Sequence, residues 1–373
     1  MCLIHIDAGN NYVQSIPEKA AGSAGYTNFV GQANVTGGYA GATCDFSPGS
    51  QRQSKRILTG HLVIRMHQGY PTYIGRVVAP ADQDSGWQLT LSGGFSLWAD
   101  NREIASWNYA AHLASDAFKE LLNTYCEDGY LFDRTDQGSI SASAYTVPAY
   151  TASQTKPKAI LDYYNSFEGW EYGDYAARQG SKILERSQPY FRAPDKSTIH
   201  YIVDTRRLAR PLKINQTDLS NFGNAVYVYY GSAGAGTLLT DSASITANGY
   251  YYKTLDISGA NTVLADAQRV GNLFLDAQKI DGVARPPASL ELVLNYDSHV
   301  IAASGVRRDI MAIEPGRNIL LTNLAGAPRT LTATDNQYFI HVTDVRKDQK
   351  GEVTLMLNRA FDPAVILARA KAA

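Results

Sequence analysis

The most regular stretch of the chain is "DLSNFGNAVYVYYG", Asp218 to Gly231, where β-formers run without interruption between polar turn residues and the small-residue loop "GSAGAG". Short apolar runs cut by Gly, Pro and Asp recur elsewhere. Ile57–Leu58, Leu62–Met66, Tyr73–Val78 and Trp87–Leu91 read as an antiparallel meander. A second β unit begins near Ile199, with "TIHYIVDTRR", "LKINQTDLSNFGNAVYVYYG" and "GTLLTDSASITANGYYYKTLDI" as strand, turn and strand again. Val226, Val228 and Tyr230 alternate with Tyr227 and Tyr229, so both faces of that strand are expected to be covered at least in part. "ASLELVLNYD" has period two, and "YFIHVTDVRKDQKGEVTLMLNRA" reads as a hairpin turning at Asp348 to Gly351.

Helical spacing interrupts the strands three times. Ile104, Trp107, Leu113, Ala117, Leu121 and Leu122 predict a helix through "EIASWNYAAHLASDAFKELLNTYC", stopped by Asp128-Gly129. "KPKAILDYYNSF" predicts a shorter one that Gly169 could end. A third, over 261–279, has Asn261 as its cap, with Leu264, Val270, Leu273 and Phe274 docking it onto a sheet. The resulting division is a Gly-rich segment 1–56, a first β module 57–102, a mixed peripheral region 103–190 and a second β module 191–373.

With 373 residues, 45% hydrophobic and 18% charged, the chain is globular and long enough for more than one domain. A net charge of −1 removes the broad electrostatic argument for a nucleic-acid partner. Tyr, at 24 copies, supplies the rigid amphipathic area that suits sheets and interfaces. No run of 18 apolar residues offers a membrane anchor, and "MCLIHIDAGNNY" has neither the basic start nor the apolar region of a secretory signal, so synthesis in a cytoplasm is the expectation.

Chemistry is sparse. Cys2, Cys44 and Cys126 are odd in number and far apart, which indicates neither a disulfide framework nor a cysteine zinc site. Seven histidines include no HExxH, and His61 and His67 alone are too few for a metal site. The glycine strings match neither GxGxxG nor a P-loop, and there is no GxSxG elbow, so neither a cofactor nor a catalytic residue is assigned. The densest acidic group is "FEGWEYGDYA", with Glu168, Glu171 and Asp174 beside Trp170, Tyr172 and Tyr175. Two carboxylates near aromatic platforms suit a glycan hydrolase using Glu168 and Glu171, and Trp170 and Tyr172 equally suit glycan binding or a subunit interface. The most basic segment, "VDTRRLARPLK", carries Arg206, Arg207 and Arg210, candidates for contact with passing DNA or a neighbouring subunit. Asp218, Asn221 and Asn224 are candidates to fix the turn before the Val226 strand.

The order of these elements resembles the baseplate hub and minor tail proteins of long-tailed bacteriophages. In those proteins a "DLSNxxNxVxVxY" strand leads through a hairpin to an "S…xYGxxxxxLD" strand and an Ala-rich helix, matched here by Asp218–Tyr230, Ser244–Asp256 and Asn261–Lys279. Tyr338–Leu357 looks like the closing hairpin, and "GHLVIRMHQGYPTYIGRVVAP" with "WQLTLSGGF" like the first barrel. Asn248-Gly249-Tyr250 departs from the usual Tyr-Gly order, and the first fifty residues have no counterpart. The resemblance implies a mixed, β-rich α+β fold: two tail-tube-like β-barrel modules with a peripheral helical and mixed region. It implies a homotrimer whose ring continues the tail tube in the virion tail tip or baseplate. Its partners would be tube proteins, tail-tip proteins and the tape measure, with DNA passing unread through the channel. The competing expectation is a peripheral tail protein that binds host glycans.

Overall fold

The computed structural model describes residues 1–6, 11–18, 25–46, 57–83, 86–126, 135, 137–175, 178–179, 182–183, 187–195, 198–216, 222–259, 261–280, 283–284, 288–324, 338–348 and 351–358. Its backbone is one large mixed sheet of 14 strands, with helices and small sheets packed to one part of it. From one end the strands run Lys213–Gln216, Ala288–Leu294, Val353–Asn358, Tyr338–Asp348, Tyr26–Asn34, Gly38–Phe46, Gly86–Ser92, Tyr70–Gln83, Leu62–His67, Cys2–Ile6 and Tyr12–Pro17. Three more branch from this path, Tyr201–Asp204 pairing in parallel with Asn318–Thr322 and antiparallel with Val300–Ala302.

The expectation of two closed β-barrel modules is not met, because no sheet among the described residues closes on itself. The cause lies in one ladder. Strand Tyr26–Asn34 bonds Gly38–Phe46 along one side and Tyr338–Asp348 along the other, from Asp344 opposite Asn34 to Asp348 opposite Val30. A border that closure of the first unit would use is therefore taken by the second unit. Among the described residues, one isolated bridge, Glu18 to Tyr26, passes back from the Tyr12–Pro17 side. The unmatched N-terminal segment thus supplies four strands, including the one that joins the halves. Glycine has a direct part in this: a Cβ on Gly31 would lie 2.8 Å from the Phe29 ring and 3.1 Å from Tyr73, so a larger residue would spoil the packing beneath the joining strand.

Three apolar cores follow among the described residues. Leu3, Phe29, Ile64 and Leu89 belong to the N-terminal half, and Leu292, Ile319, Val345 and Leu355 to the C-terminal half. The third core, around Trp98, Phe118, Tyr164 and Phe274, combines the mixed region with strands Ala225–Tyr230 and Tyr252–Asp256. Those two strands pair in parallel, with Ala235–Thr240 on the outer side, forming a separate three-stranded sheet. Val226 and Val228 face the helix Leu264–Asp276, but Tyr229 is 38% exposed and Leu238 51%, so the outer face is open instead of covered.

Four local departures from the sequence pattern have physical reasons. Ile104–Tyr109 is a strand paired with Tyr150–Thr155, and the helix is confined to Ala114–Tyr125. The ladder passes over Ala105 and Gln154, the latter at φ +48, which puts Ile104 and Trp107 on one buried face at a spacing that mimics a helix. Gly94–Asn101 forms a short helix with no side-chain cap, so it lacked a start signal. Ser242–Asn248 is helical, capped where Asp241 accepts from the Ser244 N–H at 3.0 Å and ended at Gly249 with φ +85. At the last helix the Val263 N–H donates to Asp266 Oδ2 at 2.8 Å, while Asn261 reaches away to the Ala149 carbonyl.

Phe274 is wholly buried and Leu264 is 44% exposed on the same helix. Phe274→Ala should therefore lower unfolding stability by about 3–5 kcal/mol, and Leu264→Ala by roughly 0.5 kcal/mol or less. Urea denaturation of the two variants checks the contrast.

Candidate functional site

The acidic aromatic segment lies at the junction of all three cores. Helix Pro157–Ser166 starts on Pro157 and ends where the Gly169 N–H donates to the Asn165 carbonyl at 2.7 Å, Gly169 holding φ +66. This turn delivers strand Glu171–Tyr175, paired with Gln188–Arg192, against the connection between strands Tyr26–Asn34 and Gly38–Phe46. There the Gly37 N–H donates to the Tyr172 carbonyl at 2.7 Å, and the Tyr39 N–H to Asp174 Oδ1 at 2.9 Å. A Cβ on Gly38, at φ +70, would collide with Asp174.

Each of the three carboxylates is buried and each is engaged separately. Glu168 accepts from Arg269 Nη2 at 2.6 Å and from the Tyr145 N–H at 3.3 Å, and Arg269 also lies 4.2 Å over the Tyr145 ring. Burial raises the Glu168 pKa, opposed by Arg269. Glu171 meets His341 Nε2 through Oε1 at 2.6 Å and Arg192 Nε through Oε2 at 3.2 Å. Asn318 donates its amide to the carbonyls of Asp195 and Thr198, which turns its Oδ1 to His341 Nδ1 at 2.6 Å. The imidazole thus has an acceptor at each nitrogen and links the peripheral strand to the C-terminal half. Asp174 accepts from Ser187 Oγ at 2.5 Å, and burial pushes its pKa up to about 6.

The aromatic candidates are turned inward. Tyr172 is 1% exposed and donates to Asp162 Oδ1 at 2.5 Å; Trp170 is half-buried, its ring 4.9 Å from Phe191. In the basic loop, Arg206 forks onto Asp204 at 3.1 and 2.8 Å, Arg207 meets His299, and Arg210 meets Glu352 at 2.9 Å. Asp218 and Asn221 lie outside the described residues. Asn224 is buried: it donates to the Gly249 carbonyl at 2.7 Å and accepts from the Tyr251 N–H at 2.8 Å, so it holds the incoming end of the parallel strand. The roles of His341, Asn318 and Arg269 carry little sequence signal: His341 interrupts the apolar run of "YFIHV", while Asn318 and Arg269 follow the polar Arg317 and Gln268 and look like ordinary surface positions. Among the described residues no three His, Cys, Asp or Glu side chains are grouped to hold a metal ion, and no helix is long and apolar enough to cross a membrane.

No protein-family model and no curated protein sequence matches the chain. Solved structures do. The tail protein from Neisseria meningitidis MC58 superposes with a TM-score of 0.63 at 12% identity, covering 98% of each chain. The 43 kDa tail protein of prophage MuSo2 from Shewanella oneidensis gives 0.59 at 10% identity, over 98% of this chain and 99% of its own. The chain has the fold of these tail proteins, and the likeness read from its strand order is present in three dimensions.

Two outcomes follow from the buried carboxylates. Arg269→Leu, which strands Glu168, should destabilise by about 3–5 kcal/mol, and adding Glu168→Gln should recover part of that loss in a double-mutant denaturation cycle. Asp174 has a folded pKa above its unfolded one, so it favours folding most below about pH 4 and that contribution is lost as pH rises through about 6. The span corresponds to on the order of 3 kcal/mol. Asp174→Asn should flatten this part of the stability profile, measured by urea midpoints between pH 4 and 7.

Proposed function

We propose that the chain is a structural subunit of a bacteriophage tail tip or baseplate hub, assembling as a homotrimeric ring that continues the tail tube around the DNA channel. The observation that carries this reading is a match to a tail protein spanning 98% of both chains, so the likeness extends over nearly all of this chain and is not confined to an inserted module. The junction supports it. Glu168, Glu171 and Asp174 each hold neighbouring parts of the chain, and a carboxylate so occupied is a structural tie before it is an acid or base. In this reading Arg206, Arg207 and Arg210 line the channel or a subunit contact, their charges partly met by Asp204 and Glu352. Tube proteins, tail-tip proteins and the tape measure are the partners, and the virion tail is the location.

A second reading, a peripheral tail protein that holds host glycans, draws on the open outer face where Tyr229, Tyr250 and Tyr252 are 38%, 57% and 49% exposed. Exposed rings suit both sugars and protein neighbours. Mass photometry with negative-stain imaging separates the readings: the hub requires threefold rings at three times the chain's 40.7 kDa, alone or with neighbouring tail proteins. Persistent monomers in the presence of those proteins, with selective glycan-array binding, would overturn it in favour of the second.

A further inference from the structure

Lys347 stands on the central strand Tyr338–Asp348 at a position where alternation from the buried Val345 calls for an apolar side chain, and it is 9% exposed. Its Nζ donates to the Met311 carbonyl at 2.7 Å, and no described carboxylate lies within ion-pair distance of it. An ammonium carries three N–H donors, and burying one with no carboxylate in direct contact is costly even where Glu314 and Asp309 act on it from further away. Lys347 borders a cavity of about 410 Å3 whose wall also contains Arg192, Arg317, Tyr39, Tyr190 and Pro71. Both arginines are partly engaged, Arg192 with Glu171 at 3.2 Å and Arg317 with Glu314 at 3.4 Å. The volume falls within the range of small-molecule sites, and apolar walls with a few convergent polar groups are their usual lining.

We propose that this cavity binds a small oxyanion with a flat apolar body, its charge met by Lys347 with Arg192 and Arg317 beside it. Tyr39, Tyr190 and Pro71 make the less polar part of the wall, with the Arg192 guanidinium 4.8 Å over the Tyr190 ring, and Lys347, Arg192 and Arg317 bring three cations to one cavity for the acid group. Asp174 and Glu314, also on the wall, limit the site to a singly or doubly charged ligand of modest size. Burial pushes the Lys347 pKa down to about 8; Glu314 and Asp309 favour the charged form and Arg65 opposes it. Anion binding should therefore weaken as pH rises through about 8, where the ammonium is lost.

Pyridoxal 5′-phosphate is a suitable probe for the intact chain. Its aldehyde condenses with the neutral amine to an imine and water, and cyanoborohydride adds hydride at the imine carbon to leave a secondary amine that peptide mapping locates. Lys347 should be modified about tenfold faster than the exposed Lys158 and Lys213, because a desolvated amine of lowered pKa beside cations is both nucleophilic and near bound phosphate. Pyridoxine 5′-phosphate, which has the anion without the aldehyde, should protect Lys347, and uncharged pyridoxine should not. Arg317→Gln, on the partly exposed wall, should reduce both labelling and protection while leaving the fold intact. Labelling that simply follows exposure, with Lys158 and Lys213 ahead of Lys347, or equal protection by pyridoxine, would overturn the proposal.

Discussion

The ladder between Tyr26–Asn34 and Tyr338–Asp348 is the interaction on which the rest of the structure depends. Each strand has unpaired backbone groups along one side until the other arrives, and such a border is costly if buried and adhesive if exposed. By satisfying each other the two strands turn two β units into one sheet and fix the N-terminal and C-terminal cores on a common frame. The contact also sets an order of difficulty for folding, since its partners come from opposite ends of the chain and must wait for long loops to close. Arg65, buried on the N-terminal side, reinforces the seam by donating to the Asp348 carbonyl at 3.0 Å while its guanidinium lies 4.5 Å from the Phe29 ring centre.

The seam explains why the polar junction sits where it does. In the tight connection after Asn34, the Gly37 and Tyr39 N–H groups find their partners outside the large sheet. Strand Glu171–Tyr175 supplies them, through the Tyr172 carbonyl and Asp174. Glu171 then reaches the other half through His341, so one short acidic strand touches the N-terminal sheet, the C-terminal sheet and the helical core. Hydrogen bonds of this kind contribute modestly when made and cost considerably when one partner is removed, so the junction governs the relative placement of layers more than total stability.

Much of this was legible in the sequence. The meander from Leu62 to Leu91, the Tyr338–Leu357 hairpin and the helices at Pro157 and Leu264 follow from apolar periodicity and turn residues, which report local structure. What stayed illegible was pairing between distant strands: nothing in "YTNFVGQAN" names Tyr338–Asp348 as its neighbour, and hence closure into barrels was the natural but mistaken expectation. Ile104 and Trp107 misled because a skipped ladder position imitates helical spacing. Glu168, Glu171 and Asp174 were visible as a group. Their roles were not, because Arg269, His341 and Tyr39, which answer them, lie far away in sequence.

An architecture shared over 98% of two chains at 12% identity must be specified by pattern, since few individual side chains can be common to both. Apolar alternation is such a pattern, and a buried Val or Leu can be exchanged for another hydrophobe of similar volume at small cost. Buried charges obey a stricter rule, for a lone carboxylate or ammonium in an apolar layer must find its particular partner or lower the stability of the whole. Glu168 and Glu171 have found theirs within the chain. Lys347 donates to one carbonyl, with Glu314 and Asp309 acting on it only from beyond ion-pair distance, on a sheet whose pattern would have accepted Leu or Met in its place. A residue that departs from a permissive pattern and has no carboxylate paired directly with its charge is where selection for something other than the fold is most readily seen, and that is why the cavity beside Lys347, and not the acidic strand, is the place to look for a ligand.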